Sequence, residues 1–393
     1  MILLGVLFYL SGIILGVGLA GYFFDNEIRE IFVKYAFSFP IGFSISAFLV
    51  LAFDAYAGGF KSYMMALASI AMLAASAAIF YKRRKLKMFS FSLLVKQIRS
   101  EKLFYLLLIL VIAMLIIFQY RGVYYGAKGI WGGDNYGTDF LFHVSIGNSL
   151  IYSGWPPKLL YADGAPNVFP FIADFYTAML AYTGIPVVFA LYLMNFLLYF
   201  SIAVLFVYFI SLITKHRVAA IAGFILFLFC SLGMNMVFLY LFHISLPYLS
   251  YAQIKSSTSN ILGFLTTPLF NFSNPIGSNF APQHDLVLGF PMALIIIIQL
   301  YLTFFDKRLG ARKYHAPWNF SRKSMALSAF TGLLIGMMPL IHPFSLVFVA
   351  IFAAFAFLYS MAKNGRAKAF LYYWVPLSAV AFAVAIPQLL FIK

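Results

Sequence analysis

Charge is scarce in this chain. Asp, Glu, Lys and Arg make up 10% of its 393 residues, against about 25% in an ordinary soluble domain. Too little charge is available to solvate a globular surface, so a water-soluble domain is excluded. Cysteine is nearly absent as well: Cys230 is alone, inside an apolar run, which excludes a disulfide framework and any cysteine-pair metal or redox site. Acid is the rarer sign, with 11 Asp and Glu against 27 Lys and Arg. No Walker loop, Rossmann glycine fingerprint or His-Glu-x-x-His pattern occurs, and no internal repeat.

What the chain has in excess is apolar surface, at 64% hydrophobic residues with a mean hydropathy of +0.95. A membrane span needs about 20 apolar residues. That criterion predicts helices at 2–24, 31–53, 62–81, 102–119, 186–213, 218–242, 286–305, 324–340, 344–361 and 369–391. The expected fold class is an all-α polytopic membrane protein with about ten transmembrane helices. The opening Met1 to Phe24 lacks a basic leader and a small-residue cleavage site, and reads as a retained span. In such a protein the formal charge of +16 points to loops facing anionic lipid, and not to nucleic acid.

The basic residues set the orientation. Lys82, Arg83, Arg84, Lys85, Lys87, Lys96, Arg99 and Lys102 form the strongest block and are expected to be cytoplasmic, which puts the 120–185 loop outside. Within that loop, 169–183 is apolar but short. If it lies along the membrane surface, 21 of the 27 basic residues fall inside; if it crosses, the Lys215-His216-Arg217 turn moves out. The surface-lying arrangement is therefore expected. Three regions follow: an N-terminal three-span segment with its basic cytoplasmic loop (1–101), a membrane core with external loops 120–185 and 243–285 (102–306), and the C-terminal spans (307–393).

The external acids are all aspartates, and Asp134, Asp139, Asp163 and Asp174 crowd the first loop. Asp139 and His143 are four apart in an amphipathic stretch to Ile151, so they share a helix face. Asp139 can serve as a general base or merely cap that helix. Asp134 lies among glycines, either in a tight turn or against a ligand. Asp174 is an ionisable group in an apolar segment, which makes it a functional candidate by default, whereas Asp163 reads as a turn. Gln283, His284 and Asp285 stand at the external mouth of a later span, and His342 at the tip of a hairpin of spans. The few external cations, Arg121, Lys128, Lys158 and Lys255, could hold a phosphate or snorkel at the interface.

A loop that opens Gly133-Asp134 and Thr138-Asp139-Phe-Leu-Phe-His143 directly after a span, turns at Trp155-Pro-Pro and continues through Pro170-Phe-Ile-Ala-Asp-Phe-Tyr176 resembles the glycosyltransferase C superfamily. The likeness covers roughly Lys102 to Asp306, and Pro282-Gln-His-Asp285 is similar to the polar loops lining the donor site in such enzymes. The resemblance implies a multi-pass enzyme of the plasma membrane or its equivalent, acting on the external face. It implies a polyprenyl-phosphate sugar as donor and a lipid, glycan or protein acceptor, as in the dolichyl-phosphate-mannose mannosyltransferases and lipid A aminoarabinose transferases. Asp139 is then the expected base with Asp134 second, and His143, Asp174, Arg121, Lys255, Gln283, His284, Asp285 and His342 are expected to bind substrate. A divalent cation held by Asp134 and Asp139 is a further expectation. Two other classes compete: a transporter or flippase for a lipid-linked saccharide, which needs a polar path through the spans, and a non-catalytic scaffold, which would leave the external Asp and His residues scattered.

Overall fold

The computed structural model describes residues 1–24, 28, 30–82, 91–126, 129–132, 136–152, 158, 169–229, 284–305, 322–362 and 366–392. The chain is helical because a segment facing lipid must satisfy its backbone hydrogen bonds internally. The first helices are α1 (Ile2–Phe24), α2 (Ile31–Ala57), α3 (Ser62–Lys82), α4 (Phe91–Ser100) and α5 (Lys102–Gly122). A hairpin of β1 (Val123–Gly126) and β2 (Gly129–Gly132) follows, antiparallel with Val123 opposite Gly132. Then come α6 (Tyr136–Tyr152), α7 (Ile172–Tyr182), α8 (Val187–Thr214), α9 (Arg217–Phe229), α10 (His284–Phe304), α11 (Arg322–Ile341) and α12 (Pro343–Met361). The last helix is continuous through α13 (Arg366–Ala369), a π turn at Phe370–Trp374, and α14 (Val375–Ile392). The hairpin is the exception to the all-helical expectation. Its strands carry the aromatic and β-branched residues that suit extended backbone, but four residues are too few to show an alternating pattern.

Among the described residues, eight helices are long and apolar enough to cross a membrane: α1, α2, α3, α8, α10, the Ser324–Ile341 part of α11, α12, and Ala367–Leu390. The protein is thus a multi-pass helical membrane protein. The other two expected spans fall on α5, whose apolar stretch is Phe104–Ile117, and on α9, apolar over Arg217–Phe227. The remainder of 218–242 and the expected loop up to residue 283 lie outside the described residues. On α12, Phe344, Val347, Phe348, Ile351, Phe355 and Leu358 form an exposed ridge at helical spacing, the kind of face that lipid covers.

Lipid gives no hydrophobic drive between spans, so close packing has to hold them. Small residues supply it. A Cβ on Gly16 of α1 would strike the Ser38 carbonyl of α2, and one on Gly42 would strike the Gly12 carbonyl; Gly332 of α11 meets the Leu377 carbonyl of α14 in the same way. Among the described residues the main apolar core runs from Phe8 in α1 to Leu377 in α14, with a small separate cluster at Val188 and Leu191. At one end of the bundle Arg217 binds Glu30, at 3.1 Å, and Glu101. Those three residues belong to segments that the charge distribution assigns to one membrane side. The ion pairs agree with that assignment.

The 169–183 segment forms α7, at 11 residues too short to span. Every residue from Ile172 to Leu180 is buried. Rather than resting with one face open to lipid, α7 is enclosed by its neighbours.

Candidate active site

Three side chains from three helices meet around one carboxylate. Asp174, in the first turn of α7, has a fully buried side chain. Its Oδ2 lies 2.9 Å from Nδ1 of His143 on α6, and its Oδ1 lies 3.1 Å from Nδ1 of His284, the first residue of α10. An ionised carboxylate only accepts, so each imidazole donates from Nδ1. Both rings are thereby fixed in tautomer and orientation, with centroids 6.3 Å apart. The Thr177 hydroxyl, one turn after Asp174, stands 3.5 Å from Nε2 of His284 and can donate to it. Burial works to raise the Asp174 pKa; the charge and hydrogen bond of His143, with those of His284, outweigh it and hold the carboxyl below its ordinary value.

The local sequence explains why these groups meet. Pro339 lies inside α11, and beside it the Gln388 side-chain amide stands in for a helix bond. It accepts from the Leu340 N–H at 3.3 Å and donates to the Gly336 carbonyl at 2.7 Å. The Leu340 carbonyl, freed where the helix ends at His342-Pro343, accepts from the Phe171 N–H at 3.1 Å and so fixes the start of α7. Gly147, one turn beyond His143, lets α6 lie directly on α7. A Cβ there would come within 2.7 Å of the Asp174 carbonyl oxygen and 2.9 Å of Ala178 Cβ. The side chains that bond are thus placed by backbones that touch.

A second pair adjoins the first. His342 caps α12: its Nδ1 accepts from the Ser345 N–H at 3.1 Å and lies 2.7 Å from the Ser345 hydroxyl. Its proton is therefore on Nε2, the opposite tautomer to His143 and His284. Nε2 faces Asp285 Oδ2 at 3.9 Å, beyond hydrogen-bond reach. Burial pushes the His342 pKa down to about 4, so the ring is neutral near pH 7 and the contact with Asp285 is not an ion pair. Gly289, one turn after Asp285, admits the ring; a Cβ there would overlap His342 Cβ.

Of the residues singled out from sequence, the structure brings together His143, Asp174, His284, Asp285 and His342. His143 has Asp174, from a separate helix, as a partner; the side chain of Asp139, the helix neighbour expected from spacing, lies outside what is described. Asp139 lies in α6 four residues before His143, and Arg121 in the last turn of α5. Asp134, Lys128, Lys255 and Gln283 lie outside the described residues. Lys158 is exposed, and its backbone N–H donates to Ser149 at 2.9 Å. Among the described residues no group of three His, Cys, Asp or Glu is arranged to hold a metal ion. Both Asp174 oxygens are engaged by imidazoles, which makes that cluster a poor cation site. The expected metal ligands, Asp134 and the side chain of Asp139, fall outside what is described. Sequence reasoning did not find Thr177, Ser345, Gly147 or Gly289. A glycine one turn past His143 and an alanine one turn past Asp174 were the available signs of close contact between α6 and α7.

Comparisons with known protein families, with curated proteins and with solved structures find no match to this chain.

Proposed function

We propose that the protein is a membrane glycosyltransferase that moves a sugar from a polyprenyl-phosphate donor to an acceptor hydroxyl, with inversion, at the external membrane face. The observation that carries this reading is the convergence of His143, Asp174 and His284 from three helices at one end of an otherwise apolar bundle. Ionisable groups are rare and expensive in such surroundings and mark functional sites. Their gathering counts against a scaffold with scattered polar residues. Arg217, with Glu30 and Glu101, stands at the opposite end of the bundle; its segment belongs to the basic side by sequence, so the positive-inside rule supports an external site.

His143 is the best-placed proton acceptor. Its side chain retains 11% exposure, whereas that of Asp174 has none. A carboxylate behind an imidazole holds its tautomer and stabilises the imidazolium formed when a proton arrives. The acceptor oxygen loses its proton to His143 as it attacks the anomeric carbon. The bond from that carbon to the phosphate oxygen breaks, and its electron pair leaves with the polyprenyl phosphate. Phosphate is a good leaving group, so charge stabilisation by Arg121 and Lys255 matters more than a second acid. Asp139, one turn earlier on α6, is the alternative base, with Asp134 next. Purified protein incubated with a panel of radiolabelled polyprenyl-phosphate sugars and acceptors tests the reading. Transfer from one donor, reduced at least about 100-fold in His143→Ala, is expected of a general base; transfer that survives in His143→Ala but not in Asp139→Asn moves the role to Asp139.

One observation favours a second reading, movement of a lipid-linked saccharide. Within spans α2 and α8, the buried Ser44 hydroxyl, both Asp54 oxygens and the Asn195 carbonyl oxygen have no hydrogen-bond partner among the described residues. Polar atoms of that kind could mark a path through the bundle.

A further inference from the structure

The opposite end of the bundle holds a feature that the proposed reaction does not use. Between α2, α5 and α8 lies a partly open cavity of ≈ 170 Å³. Its charged wall is made by Glu30, Lys215 and Arg217, and its apolar wall by residues such as Leu108, Val204 and Leu212, which point along the spans. A second cavity on the far side of Arg217 adds Lys102. Among the described residues, the glutamates at this end, Glu30 and Glu101, are both engaged by Arg217. Among the described residues Lys215 and Lys102 make no ion pair. Among the described residues lining the two cavities, the balance left over is cationic. Lys215 is also held in place: it is the single non-glycine with positive φ among the described residues, at 61°, where it ends α8 through a bond from its N–H to the Ser211 carbonyl.

We infer that this cavity binds an anionic glycerophospholipid of the cytoplasmic leaflet. Its phosphate would lie against Lys215 and the outer edge of Arg217, and the start of an acyl chain against Leu108, Val204 and Leu212. Three things specify a lipid rather than a soluble anion. The cations sit at the membrane-facing ends of spans, the wall beneath them is apolar, and the segments that supply them belong to the basic side of the protein, where anionic lipid is found. Arg217 keeps its two glutamates in the bound state, so the lipid adds to an existing knot and ties the α8–α9 turn to α2 and α5. The inference does not depend on the reaction at the other end.

Native mass spectrometry of the full-length protein, released from detergent after exchange into mixed micelles, tests it with four probes. These are phosphatidylglycerol, phosphatidylcholine, a polyprenyl phosphate, and inorganic phosphate. One retained phosphatidylglycerol per protein is expected, with phosphatidylcholine at least several-fold weaker. Lys215→Gly suits the left-handed backbone and removes the charge; it should weaken retention about fivefold, the effect of one cation at an anionic surface. Leu212→Trp leaves every charge and fills the apolar wall, and it should abolish retention of the lipid. Equal binding of the two phospholipids, or wild-type retention by both variants, overturns the assignment. So does displacement of phosphatidylglycerol by inorganic phosphate, which would make this a soluble-anion site, or by the polyprenyl phosphate at lower concentration, which would make it a site for the donor's lipid.

Discussion

Asp174→Asn perturbs the candidate site at its centre while changing its shape little. The carboxylate accepts Nδ1–H from His143 at 2.9 Å and from His284 at 3.1 Å. An amide has one acceptor oxygen and one NH₂, so it can accept from one ring only, and the other ring must move its proton to Nε2 or face a donor with a donor. If His143 is the ring that changes, its proton-accepting nitrogen is lost. Replacement of the carboxylate behind a catalytic imidazole has cost on the order of 10⁴-fold in turnover where the wrong tautomer results. A general base as a whole contributes about 10²–10⁴-fold, so a loss of at least about 100-fold is expected. Stability should fall by about 1–3 kcal/mol, the cost of one unsatisfied buried polar group. Turnover with a polyprenyl-phosphate sugar, read beside thermal unfolding in detergent, separates the two effects. An Asp174→Asn protein that folds and keeps transfer within about threefold of wild type would refute the assignment of His143 as a base held by Asp174, since even the low end of the range is about 100-fold.

Other outcomes follow from the same geometry. Gly147→Ala should separate α6 from α7, because its Cβ would come within 2.7 Å of the Asp174 carbonyl oxygen; a cost of about 1–3 kcal/mol in thermal unfolding and loss of transfer without any change to an ionisable group are expected. The pKa of Asp174 is depressed in the fold, so its contribution to stability is complete above the unfolded Asp value of about 3.9 and fades as pH falls below it. In His143→Leu the principal opposing charge is gone and burial should raise that pKa; the carbonyl stretch of a protonated carboxyl should then appear in infrared spectra at higher pH than in wild type. His342, neutral with its pKa pushed to about 4, loses stability in the same direction, as pH falls, but in a higher window. Stability should be full above the unfolded His value of about 6.5 and decline from there toward pH 4, and pH-dependent unfolding of His342→Asn should lack that decline. Phe355→Arg on the exposed ridge of α12 should impair membrane insertion by roughly 2.5–3.5 kcal/mol in a glycosylation-mapping assay.

Much of the framework was readable from composition alone, for a physical reason. Spans are set by apolar length, a local property, and eight of the ten expected runs are helices of sufficient length. The helix after Asp134 was also written locally, in the four-residue spacing of Asp139 and His143, and it appears as Tyr136–Tyr152. Asp174 could be singled out because a carboxylate in Phe-Ile-Ala-Asp-Phe-Tyr violates the pattern around it. Its partners could not. His143 and His284 are 31 and 110 residues away, and their meeting depends on backbone approaches at Gly147 and on the Leu340 carbonyl freed near Pro339. Local periodicity paired His143 with Asp139 because four-residue neighbours are the only pairs it reports. The same limit hid the burial of α7, whose apolar residues suit lipid and protein equally, and the hairpin at Val123–Gly132.

On the proposed reading the His143–Asp174–His284 cluster serves sugar transfer and not passage of a saccharide. Proteoliposomes carrying the protein, supplied with a radiolabelled polyprenyl-phosphate sugar and an acceptor, put both on one measurement: label in the acceptor product against label carried to the opposite leaflet. Label is expected in a product of inverted anomeric configuration, matched by released polyprenyl phosphate and lost in His143→Ala. Label that crosses the membrane still attached to its lipid, with no product formed, would contradict it.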